Sequence, residues 1–171
     1  SRHQPVILAS RNDHKARELG EMLPGVDLRP LPDEIPSPVE DGDTFTANAL
    51  IKARSAREVT GEPVVADDSG IEVEALDGRP GVRSARYAGE DATDGANLGK
   101  VLEEVEAAGA GRRARYVCVI ALIDEAGQEH VFEATCEGEL VPEPRGDGGF
   151  GYDPAFVPDA TGPDDRRTMA E

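Results

Sequence analysis

Val64-Val65-Ala66-Asp67-Asp68-Ser69-Gly70 carries an apolar, β-branched run straight into two adjacent carboxylates, a hydroxyl and a glycine. The pattern is that of a short buried strand followed by a tight turn. Packing alone does not end a buried strand in two acids, because an uncompensated carboxylate is costly to desolvate. A hard divalent ion such as Mg²⁺ would compensate them: it takes oxygen ligands and is commonly held by one or two carboxylates together with substrate phosphates. The other reading is an Asx-type turn built by Asp67 and Asp68. These residues do not choose between the two, so the rest of the chain has to.

Upstream, the strongest helix signal opens at Thr44 and runs to about Thr60. It places Phe45, Ala49, Ala53 and Ala56 on one stripe, Asn48 and Lys52 on a neighbouring face, and Gly61 as the stop. Before it lies a connection with Pro30, Pro32, Pro36 and Pro38, too stiff for a central strand and expected at the surface. It ends in Glu40-Asp41-Gly42-Asp43, whose acids are either solvated loop residues or contributors to a metal site. Residues 26–31 form a weak second strand. Pro5-Val6-Ile7-Leu8-Ala9 reads as a buried first strand, Ser10-Arg11-Asn12-Asp13 as a polar turn, and residues 15–23 as a helix with Asn12 or Asp13 as its N-cap. A strand thus feeds a helix N-terminus, where free N–H groups and the dipole favour an anion. Arg11 and Lys15 beside that end oppose the dipole, so an anionic ligand accounts for them better than two ordinary surface cations do.

Downstream, Ile71-Glu72-Val73-Glu74-Ala75 alternates like a strand with one wet face. Asp77-Gly78-Arg79-Pro80-Gly81 is a turn, residues 84–89 form an irregular or short helical piece, and residues 93–107 form an amphipathic helix capped by Thr93 and ended by Gly109. Residues 115–123 and 129–137 read as two strands of a hairpin. Then comes Arg145-Gly146-Asp147-Gly148-Gly149-Phe150-Gly151-Tyr152-Asp153-Pro154, followed by a short strand Ala155-Phe156-Val157. No helix follows these glycines, so they are not a dinucleotide fingerprint. A loop this rich in glycine suits close backbone approach to a ligand, with Phe150 or Tyr152 stacking on it, in preference to a flexible turn with both rings in the core. Gly95-Ala96-Asn97-Leu98-Gly99-Lys100 is no P-loop, because its glycine spacing is one short and it lies inside a helix.

Length and composition bound the remaining choices. A chain of 171 residues, 38% hydrophobic and 31% charged, is one domain with room for a sizeable core. Its net charge of −17 argues against a nucleic-acid polymer or any large polyanion, since such affinity rests on Lys and Arg, yet leaves room for a single nucleotide. No apolar run approaches a membrane span, and the start lacks the apolar segment of a secretory signal. Cys118 and Cys136 have no CxxC partner or zinc-spaced histidine, so both read as packing residues in a reduced, cytoplasmic protein. His3, His14 and His130 stand in no Ser-His-Asp or Cys-His context, which favours metal-assisted attack by water over covalent catalysis.

Four segments together resemble one family, the Ham1/inosine triphosphatase-like nucleoside triphosphate pyrophosphatases. They are Ile7-Leu8-Ala9-Ser10-Arg11-Asn12 with Lys15 and Glu18; Thr44-Phe45 with Asn48-Ala49 and Lys52-Ala53; Ala66-Asp67-Asp68-Ser69-Gly70 with Pro80-Gly81 and Ser84-Ala85-Arg86-Tyr87; and Gly148-Gly149-Phe150-Gly151-Tyr152-Asp153-Pro154. Each is weak alone; in this order over nearly the whole chain the set is specific. The resemblance implies an α/β fold, an elongated mixed central sheet flanked by helices, in two lobes with a nucleotide cleft between them, and a homodimer. It implies Mg²⁺-dependent hydrolysis of inosine, deoxyinosine and xanthosine triphosphates to the monophosphate and pyrophosphate, which would clear deaminated purines from the nucleotide pool.

Carried over residue by residue, Asp68 matches the family's general base and metal-linked acid, Glu40 matches a second metal-associated acid, and Asp67 stands beside them as a third candidate. Ser10, Arg11, Asn12, Asp13, His14 and Lys15 span the triphosphate loop, and Lys52 is similar to a helix lysine facing the phosphates. Ser69 with Phe150, Gly151, Tyr152 and Asp153 looks like the sugar and base contacts. Two departures stand out. Arg11 occupies a position where a small residue is common. The family pattern also continues past Thr168-Met169-Ala170-Glu171 into a lysine, a Ser-His-Arg motif and a final helix, whereas this sequence stops at Glu171. A missing tail is the expected explanation, because losing that helix would expose apolar surface. The competing readings are a Maf-like pyrophosphatase for modified pyrimidine nucleotides, against which the Phe150-Gly151-Tyr152-Asp153 segment speaks, and a catalytically weak nucleotide-binding protein.

Overall fold

The computed structural model describes residues 4–11 and 13–171. Its main elements in order are β1 (Val6–Leu8), α1 (Asp13–Met22), β2 (Leu28–Pro30), α2 (Phe45–Thr60), β3 (Val64–Val73), α3 (Asp94–Ala108), β4 (Arg113–Ile123), β5 (Glu129–Leu140) and β6 (Phe156–Pro158). Short 3-10 turns occupy Glu74–Leu76, Gly81–Arg86, Asp153–Ala155 and Asp159–Thr161. The strands hydrogen-bond in the order β2-β1-β3-β4-β5-β6. β1 is parallel to both β2 and β3, and β5 is antiparallel to β6, which makes the sheet mixed, with helices flanking it.

The long helices form where capping and periodicity coincide. Thr44 accepts a hydrogen bond from the Ala47 N–H at 3.0 Å and Thr93 accepts one from the Ala96 N–H at 3.1 Å, while Gly61 and Gly109 close α2 and α3 in the left-handed conformation. In α2 the stripe Phe45, Ala49, Ala53 and Ala56 is buried, and Asn48 is buried with it. Its alanines let the helix approach close to whatever it covers.

One expectation is overturned at the decisive stretch. In place of the tight turn after Ala66, β3 continues through Asp67, Asp68, Ser69 and Gly70 to Val73 and absorbs the separate strand expected from Ile71. Asx-turn chemistry is a local tendency, and here the pairing of a buried strand outweighs it, because every residue of β3 is buried or half-buried. The helix expected over residues 15–23 begins two residues earlier, at Asp13; Asn12, the other candidate cap, lies outside the described residues.

By internal packing the chain divides into two units. The first comprises Ser1–Asp68 and Cys118–Glu133. Within it Leu8, Leu19 and Val65 form a buried cluster against which Val6, Ala16, Leu28, Ile120 and Leu122 pack. The second comprises Ser69–Val117 and Ala134–Glu171. Its larger core gathers Ile71, Val73, Leu98, Val101 and Val105 with Tyr152 and Phe156. Cys118 and Cys136 are both free and half-buried. Among the described residues no helix is long and apolar enough to cross a membrane.

Candidate active site

The chemistry-bearing cluster lies in the first unit, where β3 delivers Asp67 and Asp68, α1 delivers Lys15, α2 delivers Asn48 and Lys52, and the loop before α2 delivers Glu40. Asp67 is 3% exposed and Asp68 is 9% exposed. The two aspartates share Lys15, which pairs with Asp67 and also acts on Asp68. Lys15 Nζ lies 3.1 Å from Asp67 Oδ2. Lys52 Nζ lies 3.3 Å from Glu40 Oε1, and Lys52, Glu40 and Asn48 are among the groups acting on Asp68.

Each lysine thus has a carboxylate of its own, and Asp68 is the third acid of the cluster. Its Oδ2 is buried without a hydrogen-bond partner, as is Asp67 Oδ1. Burial pushes the Asp68 carboxyl above the usual carboxylate range; Glu40 adds to this, while the Lys52 and Lys15 ammonium groups and the Asn48 amide pull it down. A buried carboxylate oxygen with nothing to bond is expensive to keep, so Asp68 is an acid held ready for something the protein itself does not supply.

The loop bearing Glu40 is fixed from α2. Asn48 Oδ1 accepts from the Gly42 N–H at 2.8 Å, and Asn48 Nδ2 donates to the Gly42 carbonyl at 3.3 Å. A Cβ at Gly42 would stand 2.7 Å from Ala47 Cβ and 2.8 Å from Asn48 Oδ1, so only glycine fits there. Sequence reading placed Asn48 beside Lys52 but gave neither Asn48 nor Gly42 this role; the available signal was an asparagine within a buried alanine stripe.

The N-terminal loop is only partly what the sequence promised. Arg11 is drawn onto the Pro-rich connection: its Nε donates to Ser37 Oγ at 3.0 Å, its Nη2 donates to the carbonyls of Pro32 and Ile35, and its Nη1 lies 3.7 Å from Asp33. Lys15 likewise has a protein partner in Asp67. Ser10 is half-buried, and Asp13 and His14 are exposed on the first turn of α1.

In the second unit Ser69 follows Asp68 along β3 and is half-buried. The glycine-rich loop divides its aromatics. Tyr152 is 5% exposed, sits in the core, and its hydroxyl donates to the Ser84 carbonyl at 2.7 Å. Phe150 is half-buried, so of the two rings expected to stack on a ligand Tyr152 is taken up by the core and Phe150 is not. Asp153 accepts from Tyr116 Oη at 2.7 Å and from the Phe150 N–H at 3.1 Å, and the Gly151 N–H donates to Asp94 at 2.9 Å.

Among the described residues no three His, Cys, Asp or Glu side chains are gathered as a metal-binding group. The donor set still fits Mg²⁺, which takes one or two carboxylates and completes its shell with water and substrate phosphate oxygens; the orphaned Asp68 oxygen is where such an ion would be needed.

A mixed sheet that delivers buried carboxylates beside paired lysines defines an α/β protein built to hold a phosphorylated ligand. The chain belongs to the Ham1 family, whose sequence model matches residues 6–171. It is 48% identical to the dITP/XTP pyrophosphatase of Syntrophobacter fumaroxidans over 158 residues, covering 90% of this chain and 68% of that protein. The dITP/XTP pyrophosphatase of Geobacter sulfurreducens is 45% identical over 97% of this chain and 84% of its own length. Among solved structures, a HAM1 protein from Coxiella burnetii superposes with a TM-score of 0.87 at 43% identity, covering 98% of this chain and 86% of that one.

Proposed function

We infer that this chain is a nucleoside triphosphate pyrophosphatase that hydrolyses inosine, deoxyinosine and xanthosine triphosphates to the monophosphate and pyrophosphate. The observation that carries this reading is Asp68, a buried acid with an unbonded oxygen and a raised proton affinity, flanked by two lysines that already hold carboxylates of their own. The pyrophosphatase names borne by its close relatives support the substrate class.

In the proposed mechanism Glu40 and Asp68 would hold Mg²⁺, which when bound would neutralise phosphate charge as it develops. Asp68 orients a water and takes its proton as the oxygen attacks the α-phosphorus; the bond from that phosphorus to the bridging oxygen breaks, and pyrophosphate leaves. A carboxylate whose affinity for protons is raised by burial accepts this one more readily than an ordinary aspartate would. Lys15 and Lys52, with the N-terminus of α1, stabilise the departing charge. Asp67 keeps Lys15 in place. On the base side, Phe150 supplies the stacking surface.

The same reading includes work as a homodimer in the cytoplasm, which light scattering and localisation would check. The direct test of function is turnover of inosine, xanthosine, adenosine and guanosine triphosphates with Mg²⁺ and with a chelator. Metal-dependent release of pyrophosphate, faster from the first two nucleotides, supports the assignment. Release of orthophosphate, or equal rates on all four, would contradict it.

A further inference from the structure

The loop that carries Phe150 is held both by its own bonds and by groups outside it. The Phe150 N–H donates to Asp153 Oδ2 at 3.1 Å while the Asp153 N–H donates back to the Phe150 carbonyl at 3.2 Å, so residues 150–153 close on themselves. Gly149, at φ +66°, lies so near the Asp153 carboxyl that a Cβ there would collide with it. The closed loop is then fastened to the rest of its unit by the Tyr152 hydroxyl on the Ser84 carbonyl at 2.7 Å and by two further bonds. On one side the other oxygen of Asp153 accepts the hydroxyl of Tyr116 at 2.7 Å, from a ring on β4 packed edge-on against Phe156 at 4.6 Å. On the other side, the Gly151 N–H donates to the carboxylate of Asp94, in the first turn of α3, at 2.9 Å. A glycine-rich segment has little stiffness of its own, so these bonds contribute to where the ring stands.

We propose that Tyr116 and Asp94 are positioning residues for base recognition: they lock the Phe150 loop from β4 and α3 so that the ring is presented to the purine before substrate arrives. The proposal rests on the base-stacking role given to Phe150 above. Burial and the neighbouring Asp153 keep the Tyr116 hydroxyl protonated through the physiological range, so it remains a donor. Pre-ordering the loop lowers the entropic penalty of ordering it on binding, so its loss should weaken base-dependent affinity and leave the phosphate chemistry untouched.

The test compares inosine triphosphate with ribose 5′-triphosphate, which has the same scissile bond and no base. Tyr116→Phe keeps the ring and removes only the hydroxyl; Asp94→Ala removes the acceptor; Asp94→Asn keeps an acceptor oxygen. Tyr116→Phe and Asp94→Ala are expected to raise KM for inosine triphosphate about five- to ten-fold, the size of one hydrogen bond. In both, kcat and the kcat/KM for ribose 5′-triphosphate should stay within about two-fold of the parent, and Asp94→Asn should stay near the parent on both substrates. An unchanged KM in Tyr116→Phe and Asp94→Ala, or an equal loss on both substrates, would overturn the proposal. If the unaltered protein itself treats the two substrates alike, the base-stacking reading fails and takes this proposal with it.

Discussion

Lys15 and Asp67 of β3 form an ion pair of 3.1 Å, and the same lysine lies near enough to lower the proton affinity of Asp68, the next residue. The two neighbouring aspartates do different work. Asp67 is paired with a lysine and Asp68 carries the raised proton affinity, while each keeps one buried oxygen without a hydrogen-bond partner.

The first consequence concerns activity. Asp68→Asn keeps size and shape and removes the proton acceptor, so turnover should fall by about a hundred-fold or more, the range for a lost general base. Steady-state release of pyrophosphate measures it; near-normal turnover would strip Asp68 of that role.

Stability should move the opposite way. The folded-state pKa of Asp68 is raised above its unfolded value, chiefly by burial, so the charged form disfavours folding. The stability tied to its protonated form is present at low pH and lost as pH rises through the folded pKa. In chelator at neutral pH, Asp68→Asn should melt at the same temperature as the parent or higher, and any gap should close as pH falls toward the ordinary aspartate range. A clear drop in melting temperature at pH 7 would refute this.

Asp67→Asn should behave in the contrary sense. It leaves Lys15, with 18% of its side chain exposed, beside a neutral amide. Breaking a buried pair costs about 3 kcal/mol or more, and the partial exposure of Lys15 brings the expected loss to about 2 kcal/mol, a fall of about 4–8 °C for a chain of this size. Thermal melts of the two asparagine variants side by side give the comparison.

These separate roles could not be read from the sequence, whereas the elements around them could. α2 was legible because its cap, stripe and stop all agree: Thr44, Phe45 with Ala49, Ala53 and Ala56, and Gly61. β3 was misread because Asp-Asp-Ser-Gly is locally a turn signal, and only tertiary pairing and Lys15 from a different element override it. The protein acceptors of Arg11, Ser37 and the carbonyls of Pro32 and Ile35, were not legible because they are more than twenty residues away. Tyr152 looked like a stacking ring because composition says nothing about which side of a loop faces the core. The residue types of the site were visible in the chain; which acid pairs with which lysine is a property of the fold.

Glu40 depends on the clamp between Asn48 and Gly42. Gly42→Ala forces a Cβ to within 2.7 Å of Ala47 Cβ and 2.8 Å of Asn48 Oδ1, so the loop must shift. Asn48→Ala removes both bonds to Gly42. Each variant should lower kcat/KM about ten-fold and raise the Mg²⁺ concentration needed for half-maximal rate. A metal titration of rate checks this, and an unchanged midpoint in both variants would free Glu40 of its assigned part.

In the proposed reaction, water activated at Asp68 attacks the α-phosphorus. Phosphorus NMR of inosine triphosphate turned over with Mg²⁺ in ¹⁸O-enriched water tests it most directly. The expected result is the isotope-shifted resonance in inosine monophosphate, unlabelled pyrophosphate beside it, and no reaction with Asp68→Asn over the same time. Label in pyrophosphate, orthophosphate as the product, or the same labelled monophosphate at an undiminished rate from Asp68→Asn would contradict it.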